Sequence, residues 1–206
     1  MPDNRIEFPD DRRRFLAETA DHVMTVEHDD GLYRHLRFQK PGTGFYHFNL
    51  VTWPGHLAIT GDVDSFTFSR VPDMFEFFGG NVERINPSYW AEKLVAKSDV
   101  LVHSPEQFVE RVVSDFWERR HGFDDTAEIF RMLRSEVLED RYYADSAHAA
   151  LLRFQYVTSR GRAFHFNDTW EWDFNEYSGQ FLWALHAITW GIGQYQASKV
   201  PAVAHA

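Results

Sequence analysis

The chain has 206 residues, 44% hydrophobic and 17% aromatic, enough apolar surface for a sizeable core and too much for a disordered chain. Its 31 acidic and 21 basic side chains give a formal charge of −10, so a nucleic-acid partner is disfavoured unless the basic residues gather on one surface. There is no cysteine, which excludes disulfides, thiol catalysis and cysteine-ligated zinc.

The opening "MPDNRIEFPDDRRR" is polar and charged, unlike a secretory signal. Residues 9–23 predict a short helix with Pro9 and Asp10 at its start. From about residue 24 to 70 the apolar period is two. Strands are expected at 23–28, 32–39, 44–53, 56–61 and 64–70, divided by Asp-Asp-Gly, Lys-Pro-Gly-Thr-Gly, Pro-Gly and Gly-Asp-Val-Asp. Connections this short force neighbouring strands to run antiparallel.

Beyond residue 70 helical spacing takes over. Helices are expected at 71–78, at 85–96 behind Asn86–Pro87, and at 104–122. The last of these has Ser104 before Pro105, Gln107 completing a capping box, and Gly122 as a stop. Further helices are expected at 125–140, 146–160 and 176–197, with one or two strands in the alternating stretch 162–174. The sum is an α+β fold: an N-terminal antiparallel β-meander of four to five strands, one face covered by the helices that follow. It is read as one domain over 1–206, with the short helix and meander in 1–70 and a mainly helical part in 71–206. The longest apolar stretch, 181–193, is too short to cross a bilayer and contains His186, so no membrane partner and a cytoplasmic location are expected.

Alternation sorts the meander into two faces. Leu36, Phe38, Phe48, Leu50, Leu57, Ile59, Phe66 and Phe68 fall on one, as the floor for the helices. Tyr33, His35, Arg37, His47, Asn49, His56, Thr60, Ser65 and Thr67 fall on the other. Such a mixture can hydrogen-bond a phosphate or carboxylate beside a flat ring, or anchor a partner protein through its aromatic and arginine side chains. The expected contact surface is Tyr33, His35, Arg37, His47 and Asn49, framed by Trp53 and Arg70. A solvated sheet face is the competing reading, and a single bulge would exchange the faces.

Elsewhere the chemistry is thin. Asp62 and Asp64 could hold a divalent cation, but between two strands they read first as a tight turn. Asp115, Glu118 and His121 share a helical side where Arg119, Arg120 and His121 suit a helix C-terminus. Nothing matches a phosphate loop, a His-Glu-x-x-His pair or a nucleophile elbow, so no catalytic residue and no cofactor is assigned. Trp170, Trp172, Trp183 and Trp190 crowd the C-terminal region; the final helix is read as buried nearly all round, with a homo-oligomer interface as the other use of so much aromatic surface.

The segments "YRHLRFQKPGTGFYHFNLVTWPGHLAITGD", "FSRVPDMFEFF", "INPSYWAEKL" and "LWALHAITWGIGQY" together resemble a family of small proteins encoded by bacteriophages and prophages. The likeness spans nearly the whole chain and carries no known activity with it. It implies a phage accessory protein in the bacterial cytoplasm. The expected function is therefore non-catalytic binding of a host bacterial protein or a small nucleotide-like ligand, in the manner of a counter-defence protein. A metal-dependent phosphoesterase or nuclease using Asp62 and Asp64 is the alternative, and a virion structural or assembly protein the third.

Overall fold

The computed structural model describes residues 8–79, 84–96 and 99–200. Helix α1 (Pro9–Glu18) leads into β1 (Val23–Asp30), β2 (Tyr33–Gln39), β3 (Phe48–Trp53), β4 (His56–Gly61) and β5 (Phe66–Ser69). Two short helices, α2 (Met74–Phe78) and α3 (Pro87–Ala91), precede β6 (Leu94–Ala96) and β7 (Leu101–His103). Then come α4 (Pro105–Arg119), α5 (Thr126–Glu136), α6 (Ala144–Arg153), β8 (Gln155–Val157), β9 (Ala163–His165), β10 (Asn175–Tyr177) and α7 (Gly179–Lys199). The first six strands form one sheet in sequence order, each antiparallel to the next.

The α+β expectation holds, with one strand more than the meander pattern supplies. That sixth strand replaces the end of the helix expected at 85–96. Asn86 caps α3 by accepting from the Tyr89 N–H, and the helix stops at Ala91. Leu94 and Ala96 then pair with Phe68 and Thr67 on the open edge of β5. An unpaired strand edge offers a full row of donors and acceptors, which outcompetes a frayed last turn. The stretch expected as a helix to residue 160 behaves alike. It turns at Arg153 into β8, which pairs with β9.

The chain forms two compact units, residues 1–100 with 177–206 and residues 101–176, so the second is inserted into the first. The length and patterning suggested one domain; the helices from α4 to α6 enclose a core of their own. Phe108, Val112 and Phe116 of α4, Ile129 and Leu133 of α5, and Ala147, Ala150 and Leu151 of α6 are buried there with Phe164 of β9. The Ser104 hydroxyl caps α4 by accepting from the Gln107 N–H at 3.3 Å, as the capping-box spacing requires. The four tryptophans divide between the units. Trp172 packs on the second core and Trp170 is exposed, whereas Trp183 and Trp190 belong to the first.

In the first unit all eight residues assigned to the inner face of the meander are buried. Helix α7 lies on them. It is buried from Phe181 to Thr189, as a helix with apolar residues on every side should be. Gly191 sets how closely it sits. A Cβ there would lie 2.8 Å from Leu50 Cδ1 and 3.1 Å from Phe38 Cζ, so the helix meets sheet side chains at a position without a side chain of its own. Both neighbours are fully buried and have nowhere to move. Gly191→Leu should destabilise the first unit by about 3 kcal/mol through overpacking. Urea denaturation checks this: the midpoint falls while the slope is kept.

Candidate functional site

The outer face of the meander is organised in rows across the strands. Arg37 lies opposite Asn49, and Asn49 opposite Thr60. His35 lies opposite Val51, which leads through Ala58 to Thr67. Trp53 lies opposite His56, and His56 opposite Ser69. A bulge between Val26 and His28 alters the first strand: Thr25 still faces Arg37, but His28 instead of Glu27 faces His35. The bulge thus exchanges a carboxylate for an imidazole next to the site.

The side chains of this face hold one another. His35 Nε2 is 3.1 Å from Asn49 Oδ1, a bond across β2 and β3. Arg37 Nε donates to Gln39 Oε1 at 2.9 Å, leaving its terminal nitrogens without a protein partner among the described residues. Trp53 and His56 stack at 5.0 Å with their planes 8° apart. The His56 Nδ1 lies 3.1 Å from the Pro54 carbonyl, which fixes that stack over the β3–β4 turn.

The expected surface residues fall into three places. His35, Arg37 and Asn49 meet in the middle. Tyr33 is 54% exposed at the start of β2 and in step with Trp53. Arg70 joins them at that end, since its N–H donates to the Gly55 carbonyl in the β3–β4 turn. His47 stands apart, roughly 20 Å along the strand direction from Trp53 at the rise of an extended chain. Its Nδ1 is 2.8 Å from the Gly44 carbonyl, and its own carbonyl accepts from the Asp62 N–H. Gly61 makes that approach feasible, because a Cβ there would sit 2.2 Å from the His47 oxygen.

Comparison with protein-family models, with curated proteins and with solved structures finds no match.

The two aspartates considered for a metal are engaged in turn geometry. Asp62 Oδ2 accepts from the Tyr46 N–H at 2.9 Å, and Asp64 Oδ1 accepts from the Ser65 N–H at 2.6 Å. Among the described residues, no three histidine, aspartate or glutamate side chains are grouped to hold a metal ion. On α4, Asp115 is taken by Arg119 one turn later, consistent with the helix-terminus reading.

Three features escaped the pattern. Arg34, on the inner side of β2, makes a two-pronged ion pair with Asp73 at 2.8 and 2.9 Å and lies 4.6 Å from the Phe75 ring. Its hydrogen bonds hold the Asp73 carboxyl below the usual carboxylate range. Three arginines, Arg131, Arg134 and Arg141, line a cavity in the second unit. The i,i+3 spacing of Arg131 and Arg134 was the available signal. Finally, His186 is 2% exposed in α7, and neither ring nitrogen has a hydrogen-bond partner among the described residues. It faces a void of about 30 Å³ lined by Arg12, Phe15, Leu16 and Trp190. Its spacing marked only a place on a buried helix.

Burial, reinforced by the charge of Arg12, lowers the His186 pKa to about 4. The unfolded chain, with an ordinary histidine near 6.5, binds the proton first as pH falls. Stability is therefore untouched above about pH 6.5 and declines from there to about pH 4, by roughly 3 kcal/mol in total. His186→Phe removes that decline. Denaturant melts of both proteins at pH 7, 5.5 and 4.5 check it; parallel pH profiles would refute the assignment.

Proposed function

We propose that the protein is a non-catalytic binding protein of phage type that docks a host bacterial protein on the outer face of its meander. The observation that carries this reading is that Arg37, Trp53 and Tyr33 share one face of a six-stranded sheet. Tryptophan, tyrosine and arginine are the side chains that most often dominate interface energy. Here the His35–Asn49 bond and the Trp53–His56 stack hold neighbouring side chains in place before any partner arrives. Such preorganisation lowers the ordering cost of association. The resemblance to phage-encoded proteins supports a counter-defence role for the contact.

A small nucleotide-like ligand is the second reading for the same face. The Trp53–His56 stack offers a platform for a base, and the uncommitted terminal nitrogens of Arg37 offer charge for a phosphate. The engagement of Asp62 and Asp64 in backbone turns favours either binding reading over a metal-dependent phosphoesterase.

Expression in the bacterial host followed by native mass spectrometry tests the proposal. The expected result is a stoichiometric complex with one host protein, weakened at least about tenfold by Arg37→Glu combined with His35→Ala, the scale of losing a central interface anchor. A complex that survives the double variant overturns the choice of surface. A retained small molecule, lost in the same variant, decides for the second reading.

A further inference from the structure

We propose that the second unit carries a separate binding site for a small organic anion, one with a phosphate or carboxylate on a flat apolar body. The cavity lies between α4, α5 and the turn that follows, and measures about 750 Å³, within the range of small-molecule sites. Its apolar wall is Val109, Phe130 and Leu138; its charged rim is Arg131, Arg134 and Arg141, with Glu139 as the one acid.

The three guanidiniums are not equivalent. Arg131 is neutralised by Glu128, to which its Nε donates at 2.9 Å. Arg141 is fixed in place: it donates to the Leu138 carbonyl at 2.7 Å and lies 4.2 Å from the Tyr142 ring. The carbonyl of Arg141 is in turn held by the His103 ring at 2.8 Å, which ties this loop to β7. Arg134 has no partner among the described residues and projects from the exposed side of α5. The Ser135 hydroxyl is engaged with the helix backbone, donating to the Met132 carbonyl at 3.1 Å, which leaves recognition of a ligand to the arginines.

Two arginines without a carboxylate partner among the described residues therefore border one concavity, in a chain whose net charge is −10. A guanidinium pair over an apolar wall recognises an oxyanion through paired N–H donors, while Phe130 takes the flat face of the attached group. A wholly apolar ligand would leave the arginines unused, and a bare inorganic ion would leave Val109, Phe130 and Leu138 uncovered.

The test is a titration of the full-length protein, followed by NMR or calorimetry, with phenyl phosphate, benzoate, AMP and adenosine as probes. Saturable binding by phenyl phosphate or AMP assigns the phosphate source, and by benzoate the carboxylate source. Adenosine, without an anion, should not compete. Arg134→Glu should weaken the anionic probe at least about tenfold, the scale of one charge-assisted hydrogen bond. Because Arg134 is exposed, this variant should keep the wild-type fold by circular dichroism, and Phe130→Leu, which removes the ring against the ligand's flat body, should weaken AMP and phenyl phosphate. No saturable binding of any anionic probe at millimolar concentration overturns the proposal. So does binding that survives Arg134→Glu, or binding lost in Arg37→Glu instead, which would place the ligand on the sheet.

Discussion

The sheet depends on one packing contact, the seating of α7 on the inner face of the meander. Phe38 and Phe48 stack at 4.6 Å on neighbouring strands. Trp183 meets Phe48 edge-on at 5.6 Å, and Trp190 meets Phe38 at 5.5 Å. Phe15 of α1 closes the group, 5.2 Å from Trp183. Edge-to-face arrangements of this sort add about 1 kcal/mol per pair beyond the area they bury. Gly191 allows the helix to lie close enough for these rings to engage. The outer face owes its register to this clamp beneath it, because a one-residue slip would turn the apolar floor outward.

Polar contacts at the periphery position the clamp. Trp183 Nε1 donates to Glu18 at 2.8 Å, joining α7 to α1. At the far end the Tyr195 hydroxyl donates to Asp29 at 2.8 Å, and Lys199 pairs with the same carboxylate. The Asp29–Lys199 pair lies at the surface, so its value is in setting the orientation of α7 more than in stability, whereas Trp183 is buried and Glu18 largely so. The Arg34–Asp73 pair, with the guanidinium 4.6 Å from the Phe75 ring, is the most sheltered of the ion pairs and fastens α2 to β2.

The meander was legible because two independent signals agreed on it. Alternation in "YRHLRFQ" and "HFNLVTW" names a face, and Gly and Pro turns name the ends. The buried partners Leu36, Leu50, Ile59 and Phe66 are adjacent in register as that reasoning requires. Features set by tertiary demand were harder to see. Leu94–Ala96 became a strand because β5 had an open edge, which no local propensity records. His28 reached the outer face through a bulge, and Arg34 found Asp73 across 39 positions of chain. The outer-face residues were identified as a set, but alternation carries no distance along a strand, so it grouped His47 with Trp53 although they stand at opposite ends.

The insertion of residues 101–176 into the first unit has a consequence for synthesis. The strands of the meander leave the ribosome first, and their apolar face has to wait for a lid encoded after the entire second unit. Until residues 179–192 emerge, Phe38, Phe48, Leu50 and Phe66 lack the helix that buries them. The junction is kept short: the Ser178 N–H donates to the Val100 carbonyl at 2.8 Å, so the chain leaves and re-enters the first unit at neighbouring points. A nascent chain of this design keeps its apolar sheet face open until the last helix is made, the condition in which partly folded chains associate wrongly.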